Sequence, residues 1–394
     1  MHLYGLGLTN DLQPRDVQHN LCFLKQDKLD YLMSDNLTKV VLNQKKALKI
    51  AQKGKLRDAL RYINIALKKD KKNSTSYFIK GRLHWELLEY KFSLVAFTKC
   101  VSLDTDNVKA KLYIGLIYLT IGNFKQGCDF YRFRHEATVL SRIKHVQEWS
   151  PSRQSGSVII WAEQGIGDEI MFFQFLPFLK DLKFEFTLEC DHRLHQVLSI
   201  NFPWVNLIKR GENTDPSEFD FQLPAGDLLR VFQDKVNQVK FSTLAPPPSP
   251  EVTAVLDKHT KSRKSFVGIS WLSMNQEHGV RRSMPIEQLC EGLDPYAHIL
   301  VNLQYLASKN DITKVRDLGF EVIDEFDSFN DISALFALIA SCTKVITIDN
   351  SVAHFAGALG ANTQVWLPKL ANWRWGVNKE TSYFYRSVNL NYLK

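Results

Sequence analysis

Along the 394 residues the spacing of apolar positions changes once, near residue 155. Between residues 41 and 138 apolar positions recur at helical spacing, and the pattern itself repeats every 34 residues. Small residues align at Ala47, Gly81 and Gly115, and large ones at Leu56, Tyr90 and Phe124. Two further columns hold Ala59, Ser93 and Gly127, then Ile63, Phe97 and Tyr131. Gly54 and Gly122 fall in register, with Leu88 between them. Each period predicts two amphipathic helices, with small residues where the pair approaches closely. Such a unit cannot bury its apolar face alone, so neighbours must stack. Three units fill 41–138, and so short an array is expected to lean on the segment C-terminal to it.

Beyond 155, short β-rich runs ("SVIIWAE", "FEFTLEC", "VNLIKR") alternate with helical stretches ("EIMFFQFLPFLKDL", "RLHQVLSI"). "APPPSP" at 245–250 interrupts the alternation, because consecutive prolines neither continue a helix nor join a central strand. It then resumes through "SFVGISW", "HILVNLQY", "FEVIDEF", "KVITID" and "TQVWLP", each with a helical segment between. Strand–helix alternation at this spacing implies parallel sheets covered on both faces. The expectation is α + α/β: a helical array at 41–138, a Rossmann-like domain at 155–244, a proline-rich linker at 245–262, and a second Rossmann-like domain at 263–394. Residues 1–40 receive no role. Ligands of such sheets bind beyond the carboxyl ends of the strands, which singles out the loops after Trp161, Trp271, Gln304 and Asp349.

Composition changes this picture little. Apolar residues make up 45% and charged residues 23% of the chain, which is ordinary for a globular protein. The net charge of +8 leans mildly towards anionic ligands. The basic run "QKGKLRDALRYINIALKKDKK" has the spacing of a helical pair with a solvated face, so nucleic acid is not expected as a partner. Six scattered cysteines (Cys22, Cys100, Cys128, Cys190, Cys290, Cys342) without a C-x-x-C pair read as free thiols. No signal peptide or membrane span is read from the sequence, and a cytoplasmic location is expected.

Candidate chemistry gathers in two loops. "WAEQGIGDEI" (161–170) passes from a strand into a helix through Gly165 and Gly167, and lacks the G-x-G-x-x-G spacing of a dinucleotide loop. Glu163, Gln164 and Asp168 share it, and Asp168 is either a helix cap or a catalytic carboxylate. "TIDNSVAHFAGALG" (347–360) also opens a helix after a strand, where unpaired N–H groups favour an anion. Asp349, Asn350 and Ser351 occupy the turn, and His354 lies one turn in. "DTD" at Asp104–Asp106 resembles a metal-binding pair, but it sits between two repeats, where turn chemistry explains it. No metal site is expected.

The 34-residue array closely resembles tetratricopeptide repeats. The stretch from 327 to 368 resembles the C-terminal half of the ADP-heptose:lipopolysaccharide heptosyltransferase superfamily, the glycosyltransferase family 9-like enzymes. It is closer still to bacterial proteins in which tetratricopeptide repeats precede such a domain. The family core reads V-I-[ST]-[VI]-D-T-S-x-A-H-L-A-G-A-L-G, followed by W-x-L-L-P and a later W-R-W. This chain supplies Asp349, Ser351, His354, Gly357, Gly360, Trp366, Pro368, Trp373, Arg374 and Trp375, departing at Asn350 and Phe355. "GISWLSMNQEHGVRRSMPIEQL", "VNLQY", "YRFR" and "SPSRQSGSVIIWAEQGIGDEIMFFQFLP" resemble further family segments. The likeness covers most of 41–394 and is weakest across 181–260.

The resemblance implies a tetratricopeptide α-solenoid followed by a GT-B fold, with the active site between its two Rossmann-like domains. It implies transfer of a sugar from a nucleotide sugar to a protein or glycan acceptor, inverting and independent of metal, with no cofactor beyond that co-substrate. Asp168 would be the base, made stronger by burial or by Glu163 and Glu169. Ser270, Trp271, Arg282, Gln304, Asp349, Asn350, Ser351 and His354 would hold the donor. Glu163, Gln164, Gly165 and Gly167 would line the cleft. A peptide on the concave face of the repeats and a homo-oligomer are further expected partners. Two rival readings stay open: a non-catalytic interaction scaffold, and an adaptor with an unrelated nucleotide-dependent activity.

Overall fold

The computed structural model describes residues 29–138 (side chains from Asn36), 146–212, 215–240, 243–275 and 279–393. Cys22, most of the segment 1–40, and residues 276–278 of the "GISW" stretch lie outside the described residues. Contacts divide the chain into two compact units. One joins Leu119–Cys128 to the described residues from 146 onward, and the other holds the described residues up to Tyr118 with 129–138.

The helical region runs α1 (Leu29–Ala51), α2 (Leu56–Lys69), α3 (Ser74–Glu86), α4 (Tyr90–Leu103), α5 (Val108–Thr120) and α6 (Phe124–Tyr131). Among the described residues α1 (Leu29–Ala51) already extends ahead of the first repeat. Helices α1 with α2, and α3 with α4, pack as pairs. The aligned small residues act as anticipated. A Cβ added at Gly81 would lie 2.7 Å from the Phe97 ring, and one at Gly115 would lie 2.7 Å from the Tyr131 backbone nitrogen. Ser93, the small residue of α4, donates its hydroxyl to the Gly81 carbonyl at 2.7 Å. Phe97 in turn stacks on Tyr113, with ring centroids 4.8 Å apart. The small column is therefore what lets the large column in. Asp104 accepts from the Asn107 side chain and the Asp106 N–H, which is turn chemistry. Within the sheet-bearing unit, Phe124 packs edge-on against Tyr383 and Phe384.

The first sheet contains β1 (Gln147–Glu148), β2 (Gly156–Trp161), β3 (Phe184–Cys190), β4 (Asn206–Lys209) and β5 (Phe221–Pro224), ordered β1-β5-β2-β3-β4. The second contains β6 (Ser265–Ser270), β7 (His298–Asn302), β8 (Glu321–Ile323), β9 (Lys344–Ile348), β10 (Thr363–Leu367) and β11 (Val388–Tyr392). Its order, from the β8 edge, is β8-β7-β6-β9-β10-β11. Among the described residues the named strands all pair in parallel, and one isolated antiparallel bridge joins Thr381 to Asn389 of β11. The second order is that of a doubly wound dinucleotide fold, whose crevice opens where the order reverses. Here the reversal falls between β6 and β9, and in the first sheet between β2 and β5. Two parallel sheets of this kind are consistent with a GT-B-like architecture.

Further helices in this unit include α7 (Ile166–Phe173), α8 (His195–Asn201), α9 (Ile332–Ser341) and α10 (Ser351–Ala358), of which α7 and α10 bear on the site. Two sequence expectations need correction. The run "EIMFFQFLPFLKDL" is not one helix, because α7 stops at Phe173 and a short 3-10 turn, Leu176–Leu179, follows with Pro177 at its second position. The stretch 245–262 is not simply a linker. It carries a helix, Pro250–Asp257, capped by Ser249, whose hydroxyl accepts from the Val252 N–H. Pro250 sits where its missing N–H would have been unpaired anyway. Among the described residues no helix is long and apolar enough to cross a membrane.

Candidate active site

The loop after β2 is fastened before its carboxylates are placed. Trp161 donates its indole N–H to Gln222 at 2.7 Å, and the buried Glu163 accepts from the Gly226 N–H at 2.7 Å. Both contacts tie the ends of β2 and β5 together at the first reversal point. Gly165 then caps α7. The Asp168 carboxylate accepts from the Gly165 N–H at 3.3 Å, while the Asp168 N–H donates to the Gly165 carbonyl at 2.8 Å. Asp168 is thus a capping residue whatever else it does.

At the second reversal point the expected donor residues separate into two groups. Ser270, Trp271, Gln304 and Asn350 are buried, and the Ser270, Gln304 and Asn350 side chains and the Trp271 backbone N–H bond to one another, while the Trp271 indole N–H has no partner among the described residues. The Gln304 side-chain oxygen accepts from the Ser270 hydroxyl (2.9 Å), the Trp271 N–H (3.0 Å) and the Leu272 N–H (2.8 Å). Asn350 donates to the Ser270 hydroxyl at 2.8 Å, and its oxygen caps α10 by accepting from Val352. Trp271 packs into the core of the second sheet with Ile269, Met284 and Ile346. These residues lock the ends of β6, β7 and β9.

The remaining residues form the charged part of the site. Asp349 accepts from the Trp375 indole at 2.7 Å and faces the Arg282 Nε at 3.2 Å. The two Nη groups of Arg282 have no partner among the described residues, and neither does the Ser351 hydroxyl. His354 stacks on Trp375 with centroids 4.9 Å apart, and its Nδ1 lies 2.9 Å from the Tyr385 hydroxyl. Burial lowers the His354 pKa to about 4, outweighing the nearby Asp168 and Asp349. The imidazole is therefore neutral at physiological pH.

The two reversal points meet at Gly167. A Cβ there would lie 3.0 Å from the His354 ring and 3.1 Å from the Ser351 Cα. The first turns of α7 and α10 abut at a residue with no side chain. Alongside, Arg374 spans the same junction. Its Nε pairs with Asp168, one Nη donates to Gln164 at 2.5 Å, and the other to Asn372 at 2.6 Å.

The chain was compared with known proteins. No protein-family profile matches it. It is similar to the protein FlbA of Caulobacter vibrioides, 27% identical over 276 residues, 62% of this chain and 45% of that protein. The chain thus spans less than half the length of this curated relative. Among solved structures, it is similar to a glycosyl transferase family 9 protein from Veillonella parvula: 12% identity, 64% of this chain, 89% of that one, TM-score 0.44. It is also similar to E. coli ADP-heptose lps heptosyltransferase II: 10% identity, 60% of this chain, 91% of that one, TM-score 0.39. The Arabidopsis OM64 TPR domain matches 27% of this chain and 88% of its own, at 20% identity and TM-score 0.26.

Sequence reasoning gave no role to several residues that organise the site. Arg374 and Trp375 were visible in the "W-R-W" motif, but their reach to Asp168 and Asp349 depends on folding. Glu169 entered only as a neighbour that would strengthen Asp168 as a base, and Arg210 carried no signal. The buried Glu169 accepts from Arg210 at 3.0 Å and from the Asp191 N–H at 2.8 Å, and burial raises its pKa to about 7.

Proposed function

We propose that this protein is a nucleotide-sugar-dependent glycosyltransferase whose site is the junction of the two reversal points. The observation that carries the reading is the abutment at Gly167. It brings one carboxylate, Asp168, together with Asp349, Arg282, Ser351 and His354 of the second sheet. The motif resemblance to family 9-like enzymes and the doubly wound strand order support it. The donor's diphosphate would take the free Nη groups of Arg282 and the first turn of α10, where N–H groups and the Ser351 hydroxyl favour an anion. His354, being neutral, would contribute a hydrogen bond rather than charge. With Tyr385 donating to Nδ1, its Nε2–H is left as a donor.

In the reaction, the acceptor hydroxyl attacks the anomeric carbon, the carbon–oxygen bond to the diphosphate breaks, and Asp168 takes the hydroxyl proton. Each oxygen of a carboxylate has two lone pairs. Asp168 can hold Arg374 and Gly165 and still accept from a substrate. Ser270, Trp271, Gln304 and Asn350 serve this scheme by fixing the strand ends. We read the helical pairs as tetratricopeptide repeats that present a protein or glycan acceptor.

Calorimetry with nucleoside diphosphates, then donor hydrolysis and transfer assays, tests the reading. Binding that is lost in Arg282→Ala, and turnover lost in Asp168→Asn with binding retained, are the expected results. A wild-type chain that binds no nucleoside diphosphate overturns the reading in favour of an interaction scaffold.

A further inference from the structure

Asp168 and Glu169 are adjacent in sequence and face different surroundings. Asp168 stands partly exposed at the junction, whereas Glu169 is 1% exposed. Burying a carboxylate is costly, and a well-packed apolar side chain of similar size would often stabilise the fold as well or better. Glu169 therefore calls for an explanation beyond packing.

Its partners supply one. Arg210 donates from a single Nη to two acceptors, the Glu169 carboxylate at 3.0 Å and the Gln164 carbonyl at 2.5 Å. Gln164 then offers its side-chain oxygen to Arg374 at 2.5 Å, and Arg374 pairs with Asp168. The contacts close a ring: Glu169, Arg210, Gln164, Arg374, Asp168, and back through the peptide bond. We propose that Glu169 is a positioning residue for the Asp168 carboxylate, acting through Arg210, Gln164 and Arg374. The role assigned to Asp168 rests on the glycosyltransferase reading, but the chain of contacts does not.

The groups facing Glu169 decide what its ionisation does. Besides Arg210 these are Asp191, its partner Arg193, and Cys190 at the end of β3. Arg193 is forked onto Asp191 at 2.7 and 2.9 Å, so it is already committed. Arg210 is the cation that answers Glu169. When Glu169 takes a proton, the Asp191 N–H keeps an acceptor, but Arg210 loses its counter-charge. The Arg210 side chain is 38% exposed and has solvent to turn to. The Gln164 peptide is then held less firmly, and so is the oxygen that fixes Arg374 against Asp168. Because burial sets this titration near neutral pH, the ring is tight above about 7 and loose below it.

The test tracks the Arg374 Nε–H resonance in the isotope-labelled full chain as pH is varied across neutrality, assigned by its loss in Arg374→Lys. Wild type should shift with a midpoint near 7, and Glu169→Gln should abolish the shift. If Glu169→Gln does not fold, Arg210→Lys should displace the midpoint instead. In transfer assays, Glu169→Gln should lower kcat by about tenfold or more with little change in donor KM, and remove the inflection near neutrality. A wild-type resonance that ignores pH, or one that titrates identically in the folded variant, overturns the proposal. A wild type inactive with every nucleotide sugar overturns the glycosyltransferase reading, while the resonance still decides whether Glu169 reaches Arg374.

Discussion

His354 lies against Trp375 with its Nδ1 on the Tyr385 hydroxyl, and burial leaves it neutral down to about pH 4. Its folded pKa is below the ordinary 6.5. Between those values the unfolded chain binds more protons than the folded one. Stability from this group is therefore complete above about 6.5 and is lost as pH falls towards 4, by on the order of 3 kcal/mol in full. His354→Gln should flatten that acid slope, as measured by denaturant unfolding at several pH values. At Gly167, space is the constraint. Gly167→Ala would press on His354 and the α10 backbone and should cost about 1–3 kcal/mol. Gly165→Ala is the control, since its added Cβ would meet nothing nearer than 3.8 Å and its φ of −79° suits any residue. Equal thermal shifts in the two variants would contradict the close approach.

At the scale of elements, one side chain carries much of the second crevice. Gln304→Ala would leave the Trp271 and Leu272 N–H groups and the Ser270 hydroxyl without their acceptor. Each unsatisfied buried group costs about 1–3 kcal/mol, so urea unfolding should show a loss of several kcal/mol. Gln304→Glu keeps the acceptor oxygen but adds a buried charge, and should also be destabilising. In the helical region, Gly81→Ala would drive a methyl into the Phe97 ring, with a similar expected cost of about 1–3 kcal/mol. Substituting the exposed Phe92 on the same pair of helices should cost far less.

For the whole molecule, two buried groups pull stability in opposite directions with pH. Glu169 has a folded pKa near 7, above the ordinary 4.5, so the folded chain holds its proton to higher pH. Its contribution is most favourable below about 4.5 and declines as pH rises to about 7. Across most of that interval it opposes the slope set by His354. Glu169→Gln removes one slope and leaves the other, so unfolding free energy should drop more steeply on acidification than in wild type. A variant whose pH profile matches wild type would show that Glu169 does not titrate in this range.

The order of residues alone specifies the 34-residue period, the alternation of strands and helices, and the positions of the two loops that meet at Gly167. Small-against-large columns and period-two runs are local patterns, and local patterns are read directly from the chain. They do not reveal β1, β5 or β11. Those strands are short or half-exposed, and their pairing is set by neighbours far along the chain. Local pattern also groups Ser270, Gln304 and Asn350 with Asp349 and His354, because all of them lie at or just beyond strand ends. Folding in three dimensions separates residues that satisfy one another from residues that face the junction. It also brings Arg374 to Asp168 and sets Glu169 and Arg210 behind them, because burial and charge pairing arise when distant segments close on one another.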